Sequence, residues 1–193
     1  MSPEDEISAA IVEGLRKNDR LRRKHASFWN FYKKSSKELG LFSEIFHRFE
    51  IDYGSKVIEW GLCKNDPPDI FADLADGRKI GVEITELVNE AAIDAQIHKP
   101  DDYYHHLFQF DFKNACEEVR KLVRHKEAKL SHKMPDYAEL ALLIHTDEFL
   151  LKSDQFMVDV TPRVLDSSRV FASIYILFSY EPDKQQCPLI KLF

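Results

Sequence analysis

Two carboxylates frame the stretch PPDIFADLADGRKIGVEITEL at residues 67–87: Asp69 directly after two prolines, and Glu83 between Val82 and Ile84, where a buried strand would ordinarily carry another valine. Whether they meet depends on one turn. If Ala75, Asp76 and Gly77 form a three-residue loop, a type I turn closed by a left-handed glycine, then Leu74 pairs with Arg78. Stepping outward rung by rung, Asp73 then opposes Lys79 and Asp69 opposes Glu83. Opposed residues of an antiparallel pair share a face with Cβ atoms about 4.5 to 5.5 Å apart. A two-residue Asp76-Gly77 turn would shift the pairing by one and send Asp69 to the other face. Two like charges brought together in a partly dry site repel unless a cation lies between them. Carboxylate oxygens without thiolates or clustered imidazoles suit a hard ion, magnesium or manganese. Such an ion could hold a phosphate oxygen and lower the pKa of an attacking water. The plainer alternative is that Asp69 only begins a strand and Glu83 faces solvent. Against it stands the run Ile80, Gly81, Val82, Glu83, Ile84, whose glycine suits close approach by another group and whose apolar face predicts a covered sheet.

A second feature is electrostatic. The chain of 193 residues has net charge −6, yet the segment from Leu15 to Lys37 carries Arg16, Lys17, Arg20, Arg22, Arg23, Lys24, Lys33, Lys34 and Lys37 against Asp19 alone. Phe28, Trp29, Phe31 and Tyr32 lie among these cations. Interleaved cationic and aromatic side chains suit phosphates and exposed bases, so Arg16, Arg20, Arg22, Arg23, Lys24, Lys33 and Lys34 are the candidate nucleic-acid contacts. The alternatives are a solvated helical arm packed on the main domain, or an arm that dimerises through Trp29 and Phe31, in which case deleting residues 1–38 leaves a monomer.

Other groups offer less. His105 and His106 follow Asp101, Asp102, Tyr103 and Tyr104 in an expected loop, without a second histidine pair at zinc spacing. His145-Thr146-Asp147-Glu148 ends an apolar strand, with Thr146 or Asp147 expected to cap a helix. Cys63, Cys116 and Cys187 show no C-x-x-C spacing, and a reducing cytosol is the simplest setting. The acidic start MSPEDEISAA does not read as a secretory signal, and no apolar run approaches a membrane span, so a cytoplasmic protein is expected. Phosphate-binding, dinucleotide and nucleophile-elbow glycine motifs are absent from the sequence.

The elements that would position Asp69 and Glu83 follow from periodicity. Helices are expected near Pro3 to Arg16 and from Arg20 to Glu38, with Gly40 as an interruption. A third follows over Leu41 to Phe49, where apolar residues recur at helical spacing. Lys56 to Cys63 reads as a strand before the hairpin. A polar loop through Asp101 and a long helix from about Leu107 to Lys133 come next. The segment from Tyr137 to His145 reads as a buried strand, Thr161-Pro162 as a helix cap, VFASIYILFSY as a strand and CPLIKLF as an edge strand. The order is helix, three strands, helix, strand, with extra elements after it. Length and 44% hydrophobic content predict one α/β domain over residues 40–193 and a helical basic arm over residues 1–39.

Pro68-Asp69, a hairpin, and Glu83-Ile84-Thr85 at the end of an apolar strand, with a helix before and a helix and strand after, resemble the PD-(D/E)XK nuclease superfamily of the bacterial or phage type, over roughly residues 41–146. The resemblance implies a restriction-endonuclease-like mixed sheet flanked by helices. It also implies a magnesium- or manganese-dependent endonuclease with Asp69 and Glu83 as metal ligands. The family often adds an acid from the preceding helix, for which Glu44 is the nearest match and Glu50 a weaker one. Where the family carries its lysine this chain has Thr85. Lys113 or Lys121 from the following helix could replace that lysine, and Glu86 or Gln96 could fill polar roles. The alternative is an inactive relative that uses the sheet to bind nucleic acid or a protein partner.

Overall fold

Residues Glu139–Thr146, ELALLIHT, are apolar at nearly every position, and only a strand covered on both faces can bury them all. In the computed structural model, which describes residues 33–65, 67–130, 136–148, 150–159 and 168–193, this strand lies inside a six-stranded mixed sheet. The strands are β1 (Val57–Leu62), β2 (Ile70–Leu74), β3 (Lys79–Glu86), β4 (Glu139–Thr146), β5 (Ser173–Phe178) and β6 (Leu189–Lys191), and they neighbour one another in sequence order. The pairs β1·β2, β2·β3 and β5·β6 are antiparallel, whereas β3·β4 and β4·β5 are parallel. Lys56 to Cys63, the hairpin, Tyr137 to His145 and the two C-terminal segments form strands as expected, the central ones from short apolar, β-branched and aromatic runs.

The helices are α1 (Lys34–Tyr53), α2 (Glu90–His98), α3 (Tyr103–Gln109), α4 (Phe112–Leu130) and α5 (Ser153–Asp159). One face of the sheet packs against α1, whose Leu41, Phe42, Ile45 and Phe49 meet Ile70, Ala72, Ile80, Val82, Ala141 and Leu143. The other face packs against α4 through Ala115, Cys116, Val119, Val123 and Leu130, which meet Leu140, Leu142 and Ile144. Even and odd positions of β4 thus serve opposite layers. Each fully buried large side chain contributes roughly 1.5 to 3 kcal/mol, so these two stripes fix the helices over the sheet.

Several expectations change. Gly40 does not interrupt: α1 runs through it from Lys34 and stops at Gly54, whose φ of 64° is left-handed. A helical glycine costs about 1 kcal/mol, less than the burial of Leu41 and Phe42 beside it returns. The expected boundary after residue 39 falls inside this helix, so Lys34 to Glu38 belong to the α/β unit. A deletion that tests the arm should end near residue 32. The expected loop before Asp101 holds α2, started by Asn89, whose side chain accepts from the Ala92 N–H. His105 and His106 lie on α3, not in a loop. The expected long helix begins at Phe112, because Asp111 accepts from the Asn114 N–H and Asn114 donates back to the Gln109 carbonyl. Thr146 caps no helix: its hydroxyl donates to the Leu87 carbonyl and ties the ends of β3 and β4 together. The arm up to residue 32, the helix before Arg16 and the Thr161-Pro162 cap lie outside the described residues. Among the described residues no helix is long and apolar enough to cross a membrane, and the three cysteines are free thiols.

Candidate functional site

The turn between β2 and β3 decides the site. Gly77 has φ of 88°, the Leu74 N–H donates to the Arg78 carbonyl at 2.8 Å, and the Gly77 N–H donates back to Leu74 at 3.0 Å. Asp76 stabilises the loop by accepting from the Arg78 N–H at 3.0 Å. This is the three-residue loop, and the register that follows pairs Asp73 with Lys79, Ala72 with Ile80, Phe71 with Gly81 and Ile70 with Val82. Continued by one position, this register would set Asp69 opposite Glu83. Because Leu74 and Arg78 are a hydrogen-bonded pair, the odd-numbered rungs are the non-hydrogen-bonded ones, whose side chains stand closest. β2 stops pairing at Ile70, and the Ile84 N–H donates at 2.8 Å to Asp69 Oδ2 instead. One carboxylate is thereby clamped onto the strand that carries the other.

Gly81 makes that approach possible. A Cβ there would lie 2.8 Å from Pro68 Cγ and 2.6 Å from Leu140 Cδ2, closer than carbon atoms can come. Pro68 fills the space a side chain would take and delivers Asp69 beside β3.

Glu83 is 1% exposed and points toward α4. Lys126 of α4 donates to Glu83 Oε1 at 2.6 Å and, more weakly, to the Ile84 carbonyl at 3.4 Å. Glu83 Oε2 is buried without a hydrogen-bond partner. Burial raises the Glu83 pKa above its ordinary value of 4.5; Lys126 opposes the rise and the Asp69 charge reinforces it. On the α1 side, Lys34 Nζ lies 3.1 Å from Asp69 Oδ1 and 3.1 Å from Glu38 Oε1. Burial raises the Glu38 pKa as well, against Lys34 and with the help of Asp69. For Lys34 itself burial disfavours the charge, yet the hydrogen bonds to Glu38 and Asp69 outweigh it and hold the ammonium above the ordinary lysine range.

Lys126 and Glu38 escape a reading that looks for neighbours along a strand, but both carry a signal. Lys126 falls in phase with Val119, Val123 and Leu130, the buried stripe of α4, where an apolar residue is expected. Glu38 is in phase with Leu41, Phe42, Ile45 and Phe49 of α1. A charge in step with a core stripe needs a buried partner.

The other candidates lie elsewhere. Glu44 is exposed on α1, so the carboxylate this helix brings to Asp69 is Glu38. Glu50 accepts from the Val57 N–H and Lys56 at the far end of α1. Thr85 is half-buried on β3, two residues beyond Glu83. Lys113 is exposed, Lys121 pairs with Glu118, Glu86 pairs with Lys37 at 3.2 Å, and Gln96 is half-buried on α2. Lys33 and Lys34 line an open cleft of about 490 Å³ with Ser35, Glu38, Cys63 and Asp69. Arg16, Arg20, Arg22, Arg23 and Lys24 lie outside the described residues. Burial pushes the Cys63 thiol up, which disfavours the thiolate a nucleophile needs. A larger cleft of about 860 Å³ between α2, α3 and α4 contains neither Asp69 nor Glu83.

Among the described residues no three His, Cys, Asp or Glu side chains form a preassembled metal-binding group. Glu38, Asp69 and Glu83 are instead shared between two ammonium groups. No family model, curated protein or solved structure matches the chain.

Proposed function

We propose that this protein is a divalent-metal-dependent phosphodiester hydrolase of nucleic acid, an endonuclease of the PD-(D/E)XK kind whose restriction-endonuclease-like core is α1, β1 to β3, α4 and β4. The observation that carries the reading is Lys126 Nζ at 2.6 Å from Glu83 Oε1, on the strand whose Ile84 N–H holds Asp69. The site needs a lysine beside its glutamate, and α4 supplies one where β3 has Thr85. It also takes an acid from the preceding helix, Glu38 rather than Glu44.

The donor set fits a hard ion. Asp69 is held on the Ile84 N–H next to Glu83 in the chain, Glu38 shares Lys34 with Asp69, and Glu83 Oε2 is an acceptor that accepts nothing in the described structure. Magnesium or manganese bound by Asp69 and Glu83, with Glu38 nearby, would polarise a phosphoryl oxygen and lower the pKa of water. Asp69 is held in place by the Ile84 N–H. Lys126 uses two of its three donors on Glu83 and the Ile84 carbonyl, leaving one to orient water or to stabilise negative charge on the phosphate. Lys33 and the cations of the arm would hold the polyanion by its phosphates.

A second reading has its own support: Asp69 and Glu83 each already have a lysine partner, as an ion-free scaffold for binding nucleic acid or protein would require. Cleavage assays on DNA and RNA with magnesium or manganese separate the two. Asp69→Ala and Glu83→Ala are expected to abolish cleavage while circular dichroism stays unchanged. A wild-type protein that binds nucleic acid but cleaves none with either ion would overturn the hydrolase and leave the scaffold.

A further inference from the structure

The two lysines of the site are not equivalent. Lys126 is 15% exposed and reaches a glutamate whose side chain is 2% exposed. Lys34, at the first turn of α1, is 71% exposed while its ammonium holds Asp69 and Glu38 together. Withdrawing Lys126 would strand a buried carboxylate. Withdrawing Lys34 returns an ammonium to water, where it is well solvated.

Charge balance points the same way. Glu38, Asp69 and Glu83 carry three negative charges when ionised, and Lys34 with Lys126 supply two positive ones. These five groups together are left with one negative charge in excess. Exchanging the single charge of Lys34 for a divalent ion removes that excess.

We propose that Lys34 is an exchangeable stand-in for the metal: its ammonium occupies the Asp69 and Glu38 carboxylates in the ion-free protein, and a divalent cation enters by displacing it. The released side chain faces the cleft of about 490 Å³ that it lines with Lys33, where it meets a phosphate of the bound nucleic acid. Lys34 thus lowers ion affinity when substrate is absent and serves substrate binding once the ion is in place. This deepens the metal-hydrolase reading and rests on it.

The test is calorimetric titration of manganese alone into the wild type and into Lys34→Met, Lys34→Arg and Asp69→Asn, each first shown by circular dichroism to be folded. An opposite charge within a few ångströms shifts a site's preference by one to three decades, so Lys34→Met should bind manganese roughly tenfold or more tightly than wild type. Lys34→Arg, which keeps the competing charge, should bind as wild type does, and Asp69→Asn should bind far more weakly. Equal or weaker manganese affinity in Lys34→Met would overturn the exchange while leaving the metal site standing. Absence of manganese binding in every form, Lys34→Met included, would overturn both.

Discussion

One β-hairpin carries two pairs of charged residues of opposite character. Near the turn, Asp73 faces Lys79 on adjacent strands with Nζ and Oδ1 3.9 Å apart, and both side chains are substantially exposed. Beyond the far end of the pairing, Asp69 is held on the Ile84 N–H next to Glu83, and both acids are buried. A strand pair settles its charges within itself where water screens them. Where a helix covers the strands, the pair is left with like charges and draws its cations from other elements: Lys126 from α4 and Lys34 from α1. Between the two ends lies the rung of Phe71 and Gly81. The contrast teaches that the covered end is held against its own electrostatics by the surrounding fold, a strain that the proposed cation would relieve.

The contrast breaks most sharply at Lys126. Replacing it by methionine should lower metal-dependent cleavage by roughly 10²- to 10⁴-fold, the range for a group that assists proton transfer or charge development. The same change should cost about 3 to 5 kcal/mol of stability at pH 8, because Glu83 stays ionised without a buried partner. The pH dependence has a definite sign. Glu83 has its folded pKa raised above 4.5, chiefly by burial, so its ionised form opposes folding as pH rises through the folded pKa. Removing Lys126 takes away the influence that lowers this pKa. The variant's deficit should therefore shrink as pH falls from 8 toward the ordinary carboxylate value of 4.5, because folded Glu83 takes up a proton before the unfolded chain does. Urea midpoints of both proteins across that range measure it, and a deficit constant with pH would show that removing Lys126 leaves the titration of Glu83 unchanged.

Gly81 allows an intermediate effect. A methyl group there meets Pro68 and Leu140 at less than 3 Å, so Gly81→Ala must push Pro68, and Asp69 with it, away from β3. Overpacking of this kind costs about 1 to 3 kcal/mol. The informative readout is manganese affinity, which should fall in the folded variant. Gly61→Ala on β1 is the comparison, since its nearest neighbour is the edge of the Phe71 ring at 3.3 Å. Unaltered manganese affinity in Gly81→Ala would show that Pro68 does not position Asp69.

What the sequence discloses follows the same division between local and distant causes. The hairpin register was legible up to one choice, a three-residue loop or a two-residue Asp76-Gly77 turn, because it depends on Ala75, Asp76 and Gly77, whose turn preference is set by neighbours in the chain. The strands of the sheet were legible from β-branched and aromatic runs. α1 was misread at Gly40 because helix propensity is weak beside the burial of Leu41, Phe42 and Ile45. α2 was missed because it buries only the small side chains of Ala92 and Ala95, too little for periodicity to register. Half of the candidate site, Asp69 and Glu83, was visible from register. Glu38 and Lys126 were not, because pattern reading assigns charges to the solvent face, and Glu44 attracted notice on the exposed side of the helix. Their phase against the core stripes of α1 and α4 was the available signal.

The smallest effect belongs to the solvent end of the hairpin, and it tests whether burial, rather than strand opposition alone, makes the site costly. Asp73 and Lys79 are paired in the register that, continued past the end of β2, would set Asp69 opposite Glu83. If opposition alone governed the energetics, breaking this favourable pair would matter about as much as the repulsion at the other end. Exposure argues otherwise, because an ion pair in contact with water contributes about 0 to 1 kcal/mol and is screened by salt. Lys79 also lies 5.1 Å from the centre of the Phe71 ring and 5.8 Å from that of Tyr137, so its removal loses more than the ion pair. A double-mutant cycle of Asp73→Asn and Lys79→Met isolates the pair from those ring contacts. Its coupling should be below about 1 kcal/mol at low salt and vanish near 1 M salt. The matching cycle of Glu83→Gln and Lys126→Met should be several times larger and persist in salt. Equal couplings at the two ends would remove the reason for assigning the covered pair a role beyond holding the hairpin together.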